Sequence, residues 1–247
     1  MAEFPFGVRV AGATIVEVLY GGPDRGIYRA APQRLVTVGP LQRASLQALY
    51  GSLAMPSPGI TPLLGFERIV GEGVPYEVMI EAEPAGTPVA VRPPGDLAGA
   101  IRDLVTCVVT AHRSGLVLGA IRPELVYADG RFTALAPRCE AFLSTATPRT
   151  YGVPPCFEEV YLSPEAIALA PATAASDVFS LAATIAFLLT RTPPFAGNAH
   201  HERMSAALHG RTSLRLPDIV RAGLHPDPAR RPPADALRAA GELPPSD

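Results

Sequence analysis

Residues 175–195 read Ala-Ser-Asp-Val-Phe-Ser-Leu-Ala-Ala-Thr-Ile-Ala-Phe-Leu-Leu-Thr-Arg-Thr-Pro-Pro-Phe. In the middle of this stretch only Ser180 and Thr184 are polar, so a helix here is apolar around its whole circumference. The run is shorter than the roughly 20 apolar residues that span a bilayer. Ser176 or Asp177 can cap the first turn, and a pair of prolines stops the helix at its far end. The stretch therefore predicts the buried central helix of a helical lobe.

The composition indicates a globular protein with much apolar surface to bury. The 247 residues suffice for one large domain or for two small lobes. A net charge of −2 provides no basic field that would attract nucleic acid. Only 18 % of the residues are charged, which is low for a soluble protein and hints at a surface covered by a protein partner.

The cysteines and the N-terminus bear on the location of the protein. Cys107, Cys139 and Cys156 form an odd set without metal-ligand spacing, so we expect reduced thiols in a cytoplasmic protein. The N-terminus lacks the basic region and long apolar run of a signal peptide. We therefore expect neither a signal peptide nor a membrane span.

The first 82 residues predict a small β-rich lobe. Alternating and β-branched residues indicate five strands, at 7–18, 27–30, 34–38, 60–70 and 75–82. Apolar spacing predicts one helix at 41–53, and the glycines at 71 and 73 predict a hairpin between the last two strands.

The rest of the chain predicts a second, mainly helical lobe. Residues 83–95 are rich in Pro and Gly and indicate a connector, after which Asp96 can cap a helix that reaches about residue 113. Three short strands follow at 116–118, 125–127 and 132–135, and residues 138–161 indicate a long loop. Helical stretches at 200–209, 217–222 and 233–240 complete the lobe.

Five motifs in this second lobe resemble those of bacterial Ser/Thr protein kinases. In chain order they are Ala-His-Arg-Ser-Gly-Leu-Val at 111–117, Ile-Arg-Pro-Glu at 121–124, Ser-Pro-Glu at 163–165, Ser-Asp-Val-Phe-Ser-Leu at 176–181 with Pro-Pro-Phe at 193–195, and Asp-Pro-Ala-Arg-Arg-Pro at 227–232. The resemblance implies an α+β, bilobal protein kinase-like fold. It divides the chain into an N-lobe at 1–82, a hinge at 83–95 and a helical C-lobe at 96–247.

The same resemblance locates the catalytic positions of a kinase, and the residues there are apolar. The ATP-binding lysine falls at about Val38, the catalytic aspartate at Ala120, the metal-binding asparagine at Leu125 and the magnesium-binding aspartate at about Ala136. The chain contains no lysine at all. Phosphoryl transfer needs cations and metal ligands around the phosphates. We therefore expect a catalytically inactive pseudokinase, which is not an enzyme, binds no ATP and uses no cofactor.

The kinase-like residues that remain are ones to which the resemblance gives structural roles. Glu165 and Arg231 correspond to an ion pair that ties the activation-segment region to the helical lobe. Asp177 corresponds to the residue that braces the catalytic loop. His112 and the histidine pair at 200–201 lack cysteine or acidic ligands at metal-binding spacing, so the sequence predicts no metal site.

Two groups of side chains are candidates for partner contacts. We expect four arginines to give the first lobe a local positive cluster without nearby acids, which suits a phosphopeptide or an acidic protein, although ordinary solvated arginines fit equally well: Arg25, Arg29, Arg34 and Arg43. Residues 144–151 resemble an activation loop, with candidate phosphorylation sites at Thr145, Thr147 and Thr150.

Two functions follow from these observations. The first is a regulatory or scaffolding module that binds protein partners, such as an active kinase or its substrate, and modulates a Ser/Thr kinase pathway. The alternative is an atypical nucleotide-dependent transferase in which Arg122, Glu124 and Asp129 take displaced roles. Glu124 is also compatible with a structural role, and Asp129 with a hairpin turn. The sequence leaves the oligomeric state open.

Overall fold

The chain divides into two compact units in a computed structural model. The model describes residues 9–10, 12–21, 26–40, 58–71, 74–118, 121–135, 159–168, 170, 172–195, 197 and 200–242. One unit contains the described residues up to 40 and those from 61 to 84, and the other contains 58–60 and the described residues from 85 onward.

The first unit is a six-stranded antiparallel sheet. Its strands are β1 (Arg9–Val10), β2 (Ala13–Gly21), β3 (Gly26–Ala31), β4 (Arg34–Pro40), β5 (Leu63–Gly71) and β6 (Val74–Ala82). Their order across the sheet is β1-β2-β3-β4-β6-β5. Alternate residues of the strands form one apolar core, which consists of Val10, Ala13, Ile15, Tyr28, Ala30, Val36, Val38, Tyr76, Val78 and Ile80.

One strand prediction for this unit differs from the observed strands, and one hairpin prediction agrees with them. The predicted strand at 7–18 is two strands, because Gly12 adopts a φ of +76° and turns the chain so that Val10 pairs with Ala13. The predicted hairpin is confirmed, with Gly71 paired with Val74 at its tip. The predicted helix at 41–53 lies outside the described residues.

The second unit is mainly helical. Its elements are β7 (Thr87–Pro88), α1 (Leu97–Arg113), β8 (Val126–Asp129), β9 (Arg131–Leu135), α2 (Pro164–Ile167), α3 (Ala174–Thr190), α4 (His200–Leu208) and α5 (Asp218–Gly223). Short 3-10 helices lie at Glu159–Tyr161, Pro228–Arg230 and Ala234–Gly241. Strands β7, β8 and β9 form a small antiparallel sheet in that order. With its curled antiparallel sheet and several helices, the molecule is mixed α/β and compatible with a bilobal kinase-like fold.

The bounds of the two long helices agree with the predicted ones, but the N-cap of one helix differs from the prediction. Asp96 caps α1 as predicted, since its Oδ1 accepts a hydrogen bond from the Gly99 N–H at 2.8 Å. Helix α3 is buried along most of its length, as predicted. Its cap is Thr173 rather than Ser176 or Asp177, because Thr173 and Ser176 bond each other's backbone in a capping box.

Three other predictions need correction. Residues 116–118 form no extended strand but a single bridge residue, Val117, because the Leu116 N–H bonds the Ala111 carbonyl and closes the end of α1. The predicted helix at 233–240 is the 3-10 helix Ala234–Gly241, which follows two prolines. Within the predicted loop 138–161, the part that the structure describes is the 3-10 turn Glu159–Tyr161. Among the described residues, no helix has the length and hydrophobicity needed to cross a bilayer.

The packing at Gly99 gives a test of the α1 cap. Alanine in place of a helical glycine normally stabilises by about 0.5–1 kcal/mol. At Gly99 an added Cβ would lie 2.1 Å from Asp96 Oδ2, so it displaces the cap, which is worth about 1 kcal/mol. We expect Gly99→Ala to give no net stabilisation in the native background. In an Asp96→Ala background the same change should stabilise by about 0.5–1 kcal/mol. Urea denaturation of the four proteins measures both values, and equal effects in the two backgrounds would contradict the packing argument.

Candidate functional site

The site that the sequence singled out begins where α1 ends and α3 starts. Asp177, in the first turn of α3, is fully buried. Its Oδ2 atom accepts a hydrogen bond from the Leu118 N–H at 2.8 Å and lies 2.8 Å from His112 Nε2. One carboxylate oxygen therefore joins the last turn of α1 and the loop after it to α3. No group of three or more possible metal ligands occurs among the described residues.

A second buried network joins α2 to the end of the 3-10 helix at 228–230. Arg231 Nη1 and Nη2 donate to Glu165 Oε1 and Oε2 at 2.6 and 2.8 Å. The same guanidinium donates to three backbone carbonyls, at 2.8 to 3.0 Å, those of Ala175, His225 and Pro226. Ser176 Oγ also donates to Glu165 Oε1, at 2.8 Å. The arrangement is a bidentate charge-assisted pair, the geometry in which arginine binds carboxylate most strongly.

The network sets the protonation of Glu165. Partial burial alone raises the pKa of this carboxyl, but hydrogen bonds from Arg231, its own backbone and Ser176, together with the Arg231 charge, outweigh that effect. The net pKa is lowered from its ordinary value of 4.5. Glu165 is therefore ionised throughout the neutral range.

Two of the four catalytic positions assigned by the resemblance are described, and both are buried. Val38 lies in the apolar core of the first unit and is 0 % exposed. Leu125 is likewise 0 % exposed, in the second unit. Neither side chain carries a charge or a metal-binding atom. Ala120 and Ala136 lie outside the described residues.

The residues of the alternative function are partly brought together. Arg122 is 3 % exposed, and its Nε lies 3.7 Å from Glu124 Oε2, whose side chain is about half exposed. Asp129 ends β8 and is exposed beside the turn at Gly130. The structure thus places Arg122 and Glu124 in one ion pair, with Asp129 at the β8–β9 turn.

Arg29, one of the arginines expected to contact a partner, pairs with two glutamates in the folded chain. Arg29 pairs with Glu17 on β2 and, at 2.5 Å, with Glu83. Arg34 donates to the Gln33 carbonyl at 3.3 Å. The expectation of no nearby acid therefore fails at Arg29, because both carboxylates are distant from it in sequence. Arg25, Arg43, Thr145, Thr147 and Thr150 lie outside the described residues.

Sequence reasoning missed the environment of Tyr161 and the contacts of Arg191. Burial raises the pKa of the Tyr161 phenol, the Glu124 charge raises it further and the Arg191 charge opposes both. Arg191 itself donates from Nη1 to the Val89 carbonyl at 2.6 Å and from Nη2 to the Ala90 carbonyl at 3.0 Å. The sequence indicated Arg191 only as the residue that follows an apolar helix, and it gave no signal for Tyr161.

Known proteins that resemble this chain are protein kinases. Serine/threonine-protein kinase PknL of Mycobacterium bovis, and PknL of Mycobacterium tuberculosis, are each 27 % identical over 95 % of this chain. The calcium and calcium/calmodulin-dependent serine/threonine-protein kinase of Lotus japonicus is 25 % identical over 58 % of the chain. These similarities support a protein kinase-like family. No family model matches the sequence. The chain spans 58 % of the length of PknL and 30 % of the plant kinase.

The comparisons correct one expectation. The prediction that this chain is not an enzyme is wrong, because relatives aligned over 95 % of it are named Ser/Thr kinases and so point to an enzyme. That prediction judged four single positions, whereas the similarity extends along almost the whole chain. The similarities likewise give no support to the expectation of a pseudokinase that binds no ATP.

The structural role that the resemblance gives to Arg231 is testable by replacement. In Arg231→Met the partly buried carboxylate of Glu165 loses its counter-ion, and three carbonyls lose a donor. Loss of one partner of a buried pair costs about 3–5 kcal/mol, so we expect a decrease of that size in the free energy of unfolding. Arg230→Met, at the exposed neighbouring residue, is the matched control and should change stability by about 0.5 kcal/mol or less. Equal losses in the two variants would argue against the network.

The lowered pKa of Glu165 predicts a specific pH dependence. A carboxyl whose pKa is lower in the folded than in the unfolded state stabilises above its unfolded pKa, and this contribution is lost as pH falls through the folded pKa. The stability difference between the native protein and Glu165→Gln should therefore be constant at neutral pH. It should shrink once the pH falls below about 4.5. Denaturation from about pH 6 to about pH 3 measures it, and a difference that grows on acidification would reverse the assigned sign.

Proposed function

We propose that this chain acts as a protein-binding regulatory module in a Ser/Thr kinase pathway. The observation that carries the proposal is a contrast within one fold. The Arg231–Glu165 network and the Asp177 brace are fully formed, whereas Val38 and Leu125 are buried and apolar. A fold with formed internal supports and uncharged side chains at these two positions is suited to recognition.

The organisation and location of this module are part of the proposal. We assign residues 1–82 to an N-lobe, 83–95 to a connector and 96–247 to a C-lobe. The partner in this proposal is an active Ser/Thr kinase or its substrate. Arg34, exposed in part on the first unit, is the described candidate for contact with an acidic or phosphorylated segment. A cytoplasmic location remains a prediction.

A specific observation also favours a second function, an atypical nucleotide-dependent transferase. The relatives over 95 % of the chain are named kinases, and Arg122 and Glu124 lie together 3.7 Å apart. In this function the Arg122 guanidinium would contact a phosphate, and Glu124 would orient the attacking hydroxyl. Glu124 is exposed enough to meet a substrate.

The regulatory function predicts an effect on a second kinase. We expect that adding the purified chain to an active Ser/Thr kinase domain of the PknL type changes its rate by about fivefold or more, the lower end of usual coupling energies. Label transfer from ATP to a peptide measures the rate, and calorimetry measures binding between the two proteins. Absence of both binding and rate change would overturn the proposal.

The same assay of label transfer from ATP tests the transferase function. The chain is incubated alone with labelled ATP, with magnesium or with chelator, and its melting temperature is followed under each condition. A magnesium-dependent rise in melting temperature with label transfer supports this function, because a ligand that binds only the folded state stabilises it. Transfer should then be lost in Glu124→Gln and kept in Glu67→Gln, an exposed glutamate on β5. A flat response in every condition excludes it.

A further inference from the structure

Three polar side chains follow one stripe of the buried helix α3 and its C-cap. Asp177, Thr184 and Arg191 are spaced seven residues apart, which places them along the same side of a helix. Each one bonds the main chain of another segment, and Asp177 in addition contacts the His112 side chain. Asp177 accepts from the Leu118 N–H, Thr184 donates to the Ile121 carbonyl, and Arg191 donates to two carbonyls of the segment before α1.

Thr184 is one of the two polar residues that interrupt the apolar run. Its side chain is fully buried, and Oγ1 donates to the Ile121 carbonyl at 2.9 Å. Ser180, one turn earlier, is also fully buried, but its hydroxyl has no hydrogen-bond partner within the part of the chain that the structure describes. The two buried hydroxyls therefore differ in one respect. The Thr184 hydroxyl bonds the carbonyl of Ile121, the residue before Arg122, and the Ser180 hydroxyl does not.

Arg191 occupies a backbone conformation that favours glycine. It caps α3 with φ of 56° and ψ of 20°, in the left-handed region, where a side chain meets steric strain. Its guanidinium lies over the Phe187 ring, 4.5 Å from the centroid, and reaches the carbonyls of Val89 and Ala90. A glycine here would avoid the strain but would make neither contact.

The segment that Arg191 binds is itself attached to the loop after Arg122. The Val89 N–H donates to the Val126 carbonyl at 2.8 Å, and the Ala90 N–H donates to the Pro123 carbonyl at 3.2 Å. The backbone N–H and carbonyl groups of Val89 and Ala90 are therefore all hydrogen-bonded. The N–H groups donate to carbonyls of residues 123–126, and the carbonyls accept from Arg191. Val91 follows them and is 74 % exposed.

We propose that Thr184 and Arg191 are positioning residues that fix the main chain of residues 121–126 and 87–92 before any partner or substrate binds. The surface that these segments present, which includes the exposed parts of Glu124 and Val91, is then preformed. A preformed surface binds without the loss of freedom that ordering a loop entails. The inference goes beyond the proposed function, since it holds for a regulatory surface and for a transferase site alike.

Hydrogen exchange measured by mass spectrometry on the full chain tests the role of Thr184. In Thr184→Val the Ile121 carbonyl loses its donor at nearly unchanged volume, so peptides covering 116–128 should exchange about tenfold faster or more. Thr184→Ser keeps the hydroxyl and should retain native exchange. Ser180→Ala is the control and should leave these peptides unchanged. If Thr184 serves only to fill space, the order reverses, with native exchange in Thr184→Val and faster exchange in Thr184→Ser, and the proposal fails.

A pair of substitutions separates the side chain of Arg191 from its backbone. Arg191→Gly removes the guanidinium and relieves the left-handed strain, whereas Arg191→Met removes the guanidinium and keeps the strain. Both should speed exchange in peptides covering 85–95 by about tenfold or more, because the Val89 and Ala90 carbonyls lose their donors. Arg191→Gly should nevertheless melt at a higher temperature than Arg191→Met.

Peptides from α1 report on the whole fold in each variant and should keep native exchange. Native exchange of 85–95 in Arg191→Gly would overturn the role of Arg191. Faster exchange throughout α1 in every variant would show a general loss of stability instead, and it would overturn the proposal as well.

Discussion

The second unit depends on the complete burial of α3. A helix without a polar face cannot lie on a surface, so other elements must cover it on every side. Its ends then need internal partners for their polar groups. Thr173 and Ser176 supply them at the start of the helix, and Arg191 closes its last turn. The Arg231 guanidinium, 5.1 Å from the Phe179 ring, binds the Ala175 carbonyl in the first turn.

Much of the fold follows from local sequence because its elements have strong periodicity or strong caps. Helix α1 and the hairpin of β5 and β6 lie close to where the sequence predicts them. Errors occur where one residue alters the chain direction, as Gly12 does when it divides one predicted strand into two. A second kind of error is the choice among neighbouring caps, since Thr173, Ser176 and Asp177 are all good capping residues and only the backbone geometry distinguishes them.

The candidate site was less predictable than the fold, because its contacts join residues that are distant in sequence. Arg231 and Glu165 are 66 residues apart, and only the kinase resemblance connected them beforehand. No periodicity indicates that Glu17 and Glu83 meet Arg29. The left-handed conformation of Arg191 is equally hidden, since arginine has no preference for it. Thr184 did give a signal, as one of two hydroxyls in an apolar run.

The hydrogen bonds from α3 to Leu118 and Ile121 have a consequence for how this sequence can change. They end on a peptide N–H and a peptide carbonyl, groups that every residue except proline offers alike. Support of this kind does not depend on side-chain identity, so replacing the side chain at either residue leaves the bonding groups in place. A substitution at Leu118 or Ile121 can therefore alter the side-chain chemistry there while the two bonds that tie these residues to α3 remain.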